Sequence, residues 1–256
     1  MRHTFDFETY WEILGRLLEE RPCLRFLDFA EQNPEGAFFI LRHDVDYSPH
    51  AALDLAEQEA GRSVRATYFL LTGTRYYNLM APGQSHVPRR LIELGHEVGL
   101  HYDVNSFDPF PRADWPRLLR AQASLLSELA GVPVRSIAMH QPALNGQDPF
   151  RSLPLGFINA YEDRFNREMT YVSDSGRAWR NDGWEMLRTG RFPPRLHLSL
   201  HPINWAESDR DRATIFHAVH QNLIEDLGRA ETELLSRLAV HSGVVEHEER
   251  VARGDS

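Results

Sequence analysis

The chain has 256 residues, is 42% hydrophobic and carries a formal net charge of −9. This length can bury one sizeable core, and no linker-like or repetitive tract interrupts it, so a single domain over residues 1–256 is predicted. The sequence contains no lysine, which excludes a Schiff-base lysine and a Walker-type phosphate loop. The acidic balance disfavours nucleic acid or an anionic membrane as the main partner.

Cysteine content and the N-terminal sequence indicate the compartment. The single cysteine, Cys23, excludes an intramolecular disulfide and a cysteine-based zinc site. The N-terminal sequence MRHTFDFETYW lacks the apolar stretch of a signal peptide, and no apolar run reaches the roughly 18 residues of a membrane span. We therefore expect a cytoplasmic protein without a membrane span.

Short apolar runs alternate with amphipathic ones along the chain, which predicts βα units and a parallel sheet. We expect residues 1–30 to form a helical cover over one end of a barrel, a core over about 37–240, and a polar, frayed tail over 246–256. The pattern predicts strands over 37–44, 64–71, 97–102, 135–140, 156–161, 170–174 and 195–201. It predicts helices over 8–20, 49–60, 87–94 and 115–130, and a helical region from 209 to about 239 that is broken near Gly228. Ser48 and Pro49 begin the helix over 49–60, and Asp114 and Gly131 bound the helix over 115–130.

Polar residues follow several of these strands at the point where each strand ends. The sequences His-Asp-Val-Asp, His-Tyr-Asp, His-Gln-Pro and His-Pro close the strands that end near residues 44, 102, 140 and 201. The carboxyl ends of parallel barrel strands share one face, and that face carries the active site in enzymes of this architecture. The sequence therefore predicts a site at this rim.

The alternation of side chains along a strand sharpens the prediction. Asp44 and Asp46 are two residues apart and point the same way, whereas His43 and Val45 point the other way. Carboxylate oxygens and neutral imidazole nitrogens are suitable ligands for Zn²⁺ and similar ions. We therefore predict a divalent metal site, most suitably for zinc, that includes the Asp pair and the histidines of the rim.

The order of these motifs resembles that of the polysaccharide deacetylases, also called carbohydrate esterase family 4 or NodB-homology proteins. The resemblance covers about residues 37–205, and the stretch Gly-His-Glu-Val-Gly-Leu-His is its most specific part. The matching segments, in order, are LRHDVD (41–46), ATYFLL (66–71), GHEVGLH (95–101), MHQP (139–142), SDSGRAW (173–179) and LSLHP (198–202).

This resemblance implies an α/β fold, a distorted barrel of about seven parallel strands. It also implies an Asp-His-His triad that holds a metal, usually zinc, in an enzyme that removes an acetyl group from an N-acetyl sugar. In the family one Asp acts as a base and a late His acts as an acid. Carried over to this sequence, Asp44 matches the base, His201 the acid and His101 the first histidine ligand.

The sequence departs from the family pattern at three positions. Val45 stands where the family has its metal-binding Asp, so we assign that role to Asp46. Asn105 stands where the family has its second histidine ligand, and His140 stands where it has an Arg that orients the catalytic Asp. We expect His140 either to supply the missing nitrogen ligand or to orient Asp44.

Other residues near the motifs have supporting roles by the same resemblance. Asp174 and Trp179 match residues that support the late histidine, and Asn105 is kept as a supporting residue of the site. Tyr47 and Trp205 flank the motifs, where they either stack on a sugar ring or pack at the rim. The implied substrate is a carbohydrate or a sugar nucleotide, such as one used in surface polysaccharide biosynthesis, and the sequence predicts no oligomeric state.

Two alternatives stay open from the sequence. The same rim suits another metal-dependent amidase, a deformylase or a phosphoesterase, and Arg42 and Arg75 are available for a phosphate. A degenerate, non-catalytic domain that binds sugar is the second alternative, which Asn105 favours. A dinucleotide-binding protein and a serine hydrolase are disfavoured, because neither G-x-G-x-x-G after a strand nor G-x-S-x-G occurs.

Overall fold

The structure is a computed structural model that describes residues 4–146, 148–151, 153–180 and 183–253, with side chains through residue 238. The ends of the predicted N-terminal cover and of the predicted tail, residues 1–3 and 254–256, lie outside the described residues. The chain divides into two compact units, Met1–Asp211 and Arg212–Ser256. The predicted single-domain organisation stays a prediction.

The first unit is built on a parallel sheet. The strands are β1 Cys23–Leu24, β2 Phe38–Val45, β3 Thr67–Leu70, β4 Glu97–Tyr102, β5 Ser136–Met139, β6 Ile158–Asn159, β7 Thr170–Ser173 and β8 Arg195–Leu200. Within the described residues, seven strands follow the order β6-β5-β4-β3-β2-β8-β7, and β1 pairs beside β2. All neighbouring strands are parallel, and no pairing joins β6 to β7 in the described chain, so the barrel is open. The predicted fold class, a distorted barrel of about seven parallel strands, is confirmed.

Helices connect the strands, and most begin and end close to the predicted residues. The helices are α1 Phe7–Glu20, α2 Phe26–Gln32, α3 Pro49–Gly61, α4 Val87–Glu93, α5 Trp115–Ala130, α6 Pro142–Asn145, α7 Asp163–Asn166, α8 Gly183–Thr189 and α9 Arg212–Arg253. Ser48 Oγ accepts a hydrogen bond from the backbone N–H of Ala51 at the start of α3, and Gly131, with φ of 75°, ends α5 in the left-handed region. Asp114 makes no side-chain cap, because a 3₁₀ turn leads directly into α5.

The two faces of the sheet have separate apolar cores. The outer core packs strand residues such as Leu41 and Leu100 against the helices, including Leu14 of α1. The inner core fills the barrel, where Phe26 of α2 packs 5.5 Å from Phe69 between ring centroids. Within residues 1–30, α2 therefore fills the interior, whereas α1 lies on the outer face.

A buried polar cluster, which we name the Glu59 network, lies in the outer core. Glu59 of α3 is fully buried and accepts hydrogen bonds from the hydroxyl groups of Tyr10 and Tyr68, the second over 2.7 Å. His43 Nε2 lies 2.8 Å from Glu59 Oε1, and His96 Nδ1 lies 3.7 Å from Oε2. The network thus joins α1, β2, α3, β3 and the loop before β4 behind the rim.

The second unit is the long helix α9, which runs without interruption from Arg212 to Arg253. The predicted break near Gly228 is therefore wrong, and the predicted polar, frayed tail over 246–256 stays a prediction. A helical glycine costs only about 1 kcal/mol relative to alanine, and the ion pair between Arg229 and Glu225, at 3.8 Å, spans this position. No helix in the described part of the chain is long and apolar enough to cross a membrane.

Candidate active site

Three side chains from three different strands converge at the carboxyl-end rim of the barrel. Asp46 directly follows β2, His101 lies in β4 and His140 directly follows β5. Asp46 Oδ1 lies 3.2 Å from His140 Nδ1 and 3.3 Å from His101 Nε2, and the two nitrogens are 3.2 Å apart. We name these three residues the DHH cluster. Within the described residues it is the one group of His, Cys, Asp or Glu side chains whose geometry could hold a metal ion.

The hydrogen bonds around the DHH cluster suit a cation. His101 Nδ1 donates to the carbonyl oxygen of Ala138 over 2.9 Å, so the lone pair on Nε2 faces the cluster. Asp46 Oδ1 is buried and makes no hydrogen bond of good geometry to any described residue. A tetrahedral zinc ion with bonds of about 2.0–2.1 Å separates its ligands by about 3.3 Å, which agrees with the triangle of donor atoms. The donor set therefore fits a divalent metal such as zinc.

The residues of the DHH cluster shift the pKa values of one another. Burial opposes ionisation of Asp46, but the neighbouring imidazoles of His101 and His140 hold the pKa of this carboxyl group well below its usual range. Burial opposes protonation of His140, but the Asp46 carboxylate raises the pKa of this imidazole. A proton and a metal ion therefore compete for His140.

Asp44 points to the same face as Asp46 and is held by an arginine. Arg42 Nε donates to Asp44 Oδ1 over 2.7 Å, and Arg42 Nη2 donates to Oδ2 over 2.9 Å. Burial opposes ionisation of Asp44, but the Arg42 guanidinium group, together with His101 and His201, lowers the pKa of this carboxyl group. Asp44 is therefore an ionised carboxylate of fixed orientation near the DHH cluster.

His201 reaches the rim from the end of β8, paired with a buried carboxylate. Its Nδ1 lies 2.6 Å from Asp174 Oδ1, and its Nε2 lies 3.8 Å from Asp46 Oδ2. Burial opposes protonation of His201, but Asp174, with Asp46 and Asp44, raises the pKa of the imidazole to about 9. His201 is therefore protonated at neutral pH, with Nε2–H facing the DHH cluster.

Asp174 is itself fixed by three further donors. It is fully buried and accepts hydrogen bonds from Asn204 Nδ2, from the indole N–H of Trp205, each over 3.0 Å, and from the backbone N–H of His201 over 3.1 Å. Trp205 is only 3% exposed, so it orients Asp174 and is not available to stack on a sugar. The Trp179 ring packs against that of Trp205, with 6.0 Å between centroids, and so contacts the residue that donates to Asp174.

The structure places the two other predicted supporting residues away from these hydrogen bonds. The half-buried ring of Tyr47 packs edge-on against Tyr76, with 4.8 Å between centroids. The exposed Asn105 donates its side-chain amide to Asp103 Oδ1 over 2.9 Å and to Asn145 Oδ1 over 3.2 Å. Asn105 thus ties the loops after β4 and β5 together, and the nitrogen next to Asp46 belongs to His140.

Two residues next to the site have roles that the sequence did not assign, since the motifs suggested Arg42 only for phosphate binding. Arg42 lies two residues before Asp44 in β2, so the alternation that pairs Asp44 with Asp46 also marks Arg42. Tyr161, whose hydroxyl group accepts from Arg42 Nη2 over 3.0 Å, follows β6 and carries no motif. Only the fold brings Tyr161 to this place.

No protein-family model and no curated protein matches this chain. Among solved structures it is similar to a polysaccharide deacetylase from Bacillus cereus, at 14% identity over 74% of this chain and 88% of that chain, with a TM-score of 0.47. A family 4 carbohydrate esterase from Bacillus anthracis is 16% identical over 80% of this chain and 86% of its own, with a TM-score of 0.45.

A CE4 family pseudoenzyme from Bacillus anthracis is also similar, at 14% identity over 75% of this chain and 62% of that chain, with a TM-score of 0.43. The chain resembles family 4 carbohydrate esterases. This is the family that the sequence motifs indicate. The likeness concerns the fold, and the chemistry of the site follows from the residues of this chain.

Proposed function

We propose that this chain is a metal-dependent hydrolase that removes an acetyl or similar acyl group from an N-acylated sugar or sugar conjugate. The observation that carries the proposal is the DHH cluster, with Asp44 and His201 next to it at the same rim. Metal donors, a base and an acid are together sufficient for metal-dependent hydrolysis of an amide bond.

Asp46, His101 and His140 would hold the metal, with zinc as the best match to one oxygen and two nitrogen donors. When bound there, a divalent ion polarises the acyl carbonyl group and lowers the pKa of a water molecule. His101 presents its Nε2 in the required tautomer because Nδ1 is bound to the Ala138 carbonyl oxygen.

Asp44 and His201 move the protons. Asp44 is ionised and held in one orientation by Arg42, so it takes a proton from the attacking water. His201 is protonated and oriented by Asp174, so it gives its Nε2 proton to the leaving amine nitrogen. The water oxygen bonds to the acyl carbon and the C–N bond breaks, while one water proton passes to Asp44 and one proton passes from His201 to the amine. The site returns to its starting state when Asp44 releases its proton to solvent and His201 takes one up.

The contacts of Arg42 favour this proposal over a phosphoesterase. Arg42 is fully buried, and its Nε and Nη2 atoms are bound to Asp44, so its charge is already paired with a carboxylate that would repel a phosphate. The exposed Arg75 is the other arginine that the motifs suggested for phosphate binding. The paired Arg42 supports removal of an acyl group from an amine.

The substrate class rests on the motif resemblance. An N-acetylated carbohydrate is what the matching motifs imply, and a nucleotide-linked or lipid-linked sugar of surface polysaccharide biosynthesis is the substrate that we propose. A cytoplasmic location accords with such a soluble or membrane-associated intermediate and is part of this proposal.

The first test is metal content. The protein is purified without chelator, supplied with zinc, manganese or iron, and analysed for bound metal beside its Asp46→Ala, His101→Ala and His140→Ala variants. Asn105→Ala is the matched control, because Asn105 is bound to Asp103 and Asn145. We expect about one zinc per wild-type and Asn105→Ala chain and less than about a tenth of that in the other variants.

The second test is release of acetate from a panel of N-acetyl sugars and sugar nucleotides. Zinc-dependent release that disappears in Asp44→Asn supports the proposal. A wild-type protein that holds no metal would overturn it in favour of a non-catalytic sugar-binding domain. A protein that holds zinc but acts only on formyl amides or phosphate esters would overturn the deacetylation.

A further inference from the structure

We propose that Arg42 and Tyr161 form a strut across the barrel interior that fixes the position of Asp44 relative to His140. The inference rests on the proposed function, because it assigns two positioning residues to the same site. Neither residue needs to touch the substrate in this role. Each acts through a residue of the rim.

The first half of the strut is the immobilised arginine. Arg42 binds both oxygens of Asp44 through Nε and Nη2, a two-bond arrangement that fixes the plane of the carboxylate as well as its distance. The guanidinium carbon lies 5.2 Å from the ring centroid of Phe69 and 5.0 Å from that of Tyr161. A fully buried Arg42 packed against two rings holds Asp44 in a single orientation.

The second half of the strut is the tyrosine hydroxyl group. Tyr161 Oη accepts from Arg42 Nη2 over 3.0 Å and donates its one proton to the carbonyl oxygen of Met139 over 3.2 Å. Met139 is the last residue of β5, and its carbonyl carbon is bonded to the backbone nitrogen of His140. A continuous path of hydrogen bonds therefore runs from Asp44 to the residue before His140.

The path joins strands that the sheet itself keeps apart. β3 and β4 lie between β2 and β5 in the strand order, and neighbouring strands are spaced about 4.8 Å apart. The barrel is also open, since β6 and β7 are not paired in the described chain. Within the sheet, the distance between Asp44 and His140 therefore depends on three successive strand pairings, β2 with β3, β3 with β4 and β4 with β5. The strut adds a direct connection between the two residues across the barrel interior.

The decisive variant is Tyr161→Phe, which removes one oxygen and leaves the ring against Arg42. Tyr68→Phe is the matched control, because it also removes a hydroxyl group that donates a buried hydrogen bond, over 2.7 Å to Glu59, but in the outer core. We expect Tyr161→Phe to lower kcat about 10-fold with little change in KM, since small misplacements of reacting groups cost up to about 100-fold. Zinc affinity should fall about 10-fold, as for other losses of support behind a ligand.

Tyr68→Phe should leave kcat and zinc affinity within about twofold of wild type while lowering the urea midpoint of unfolding. Arg42→Lys gives a second measurement. Lysine keeps the charge but offers no planar fork, so kcat should fall about 100-fold. If Arg42→Lys does not fold, Tyr161→Phe decides the question alone.

The outcomes separate the strut from the function on which it rests. If wild type holds zinc and releases acetate, but Tyr161→Phe matches Tyr68→Phe in kcat and zinc affinity, the strut is overturned and the proposed function stands. If wild type holds zinc without releasing acetate, deacetylation is overturned, and the zinc affinity of Tyr161→Phe still decides on the strut. If wild type binds no metal, both are overturned.

Discussion

The Glu59 network allows the most quantitative prediction about this protein. Glu59→Gln keeps the shape of the side chain but removes its charge. The carboxylate accepts from Tyr10, Tyr68 and His43 in a fully buried position. A hydrogen bond to a charged group contributes about 1.5–3 kcal/mol, and one between neutral groups about 0.5–1.5 kcal/mol. With three such bonds weakened, we expect the free energy of unfolding to fall by about 3–4 kcal/mol.

The assay is urea unfolding at pH 7 in the presence of a chelator, so that bound metal does not add to the stability. Glu57→Gln is the control on the same helix. Glu57 is about half exposed, and its 3.4 Å pair with Arg90 lies at the surface, so its loss should change the free energy of unfolding by less than about 0.5 kcal/mol.

The pH dependence follows from the charge of Glu59. Burial opposes its ionisation, but His43, then His96 and Tyr10, lower the pKa of the carboxyl group below its usual 4.5. The difference in free energy of unfolding between wild type and Glu59→Gln is therefore fully present above the usual pKa of a glutamate. It is lost as the pH falls through the lower pKa that Glu59 has in the folded protein. A variant within about 1 kcal/mol of wild type at pH 7, or an advantage that grows on acidification, would refute the charged network.

Three further predictions concern the site, the sheet and the long helix. Asp174→Asn should lower the pKa of His201 and move the alkaline limb of the pH–rate profile to lower pH, because the raised pKa depends mainly on the Asp174 carboxylate. Gly99→Ala should lower the free energy of unfolding by about 1–3 kcal/mol in urea titrations, because an added Cβ would lie 2.4 Å from the ring of Phe69. Gly228→Ala should stabilise α9 by up to about 1 kcal/mol in thermal melts followed by circular dichroism, since a Cβ there has no neighbour within 4 Å.

Each of these predictions has a result that contradicts it. An alkaline limb that stays in place in Asp174→Asn would mean that His201 is not the acid. Gly83→Ala is the control for Gly99→Ala, because a Cβ at Gly83 meets nothing within 4 Å, and equal effects would contradict the steric argument. Loss of helical signal in Gly228→Ala would contradict the uninterrupted helix.

The sequence by itself determined the local features of this protein. The alternation along β2 places Arg42, Asp44 and Asp46 on one face, because successive side chains of a strand point to opposite sides. Ser48 begins α3 as predicted, and the parallel strands bring the predicted rim residues to one edge. Each of these features depends on a few residues that are close in the sequence, so it can be predicted from one sequence. The unbroken α9 is the exception, because the small cost of a helical Gly228 is offset by its neighbours.

Only the tertiary structure decided which partners meet. Either His140 or Asn105 could complete the metal site on sequence grounds. The pairing of His101 with Ala138 places His140, two residues beyond Ala138 and just after β5, beside Asp46. The backbone turn after β8 brings the indole N–H of Trp205 to Asp174. Such contacts depend on strand order, register and spacing, which arise from the packing of the whole barrel and leave no local pattern in the sequence.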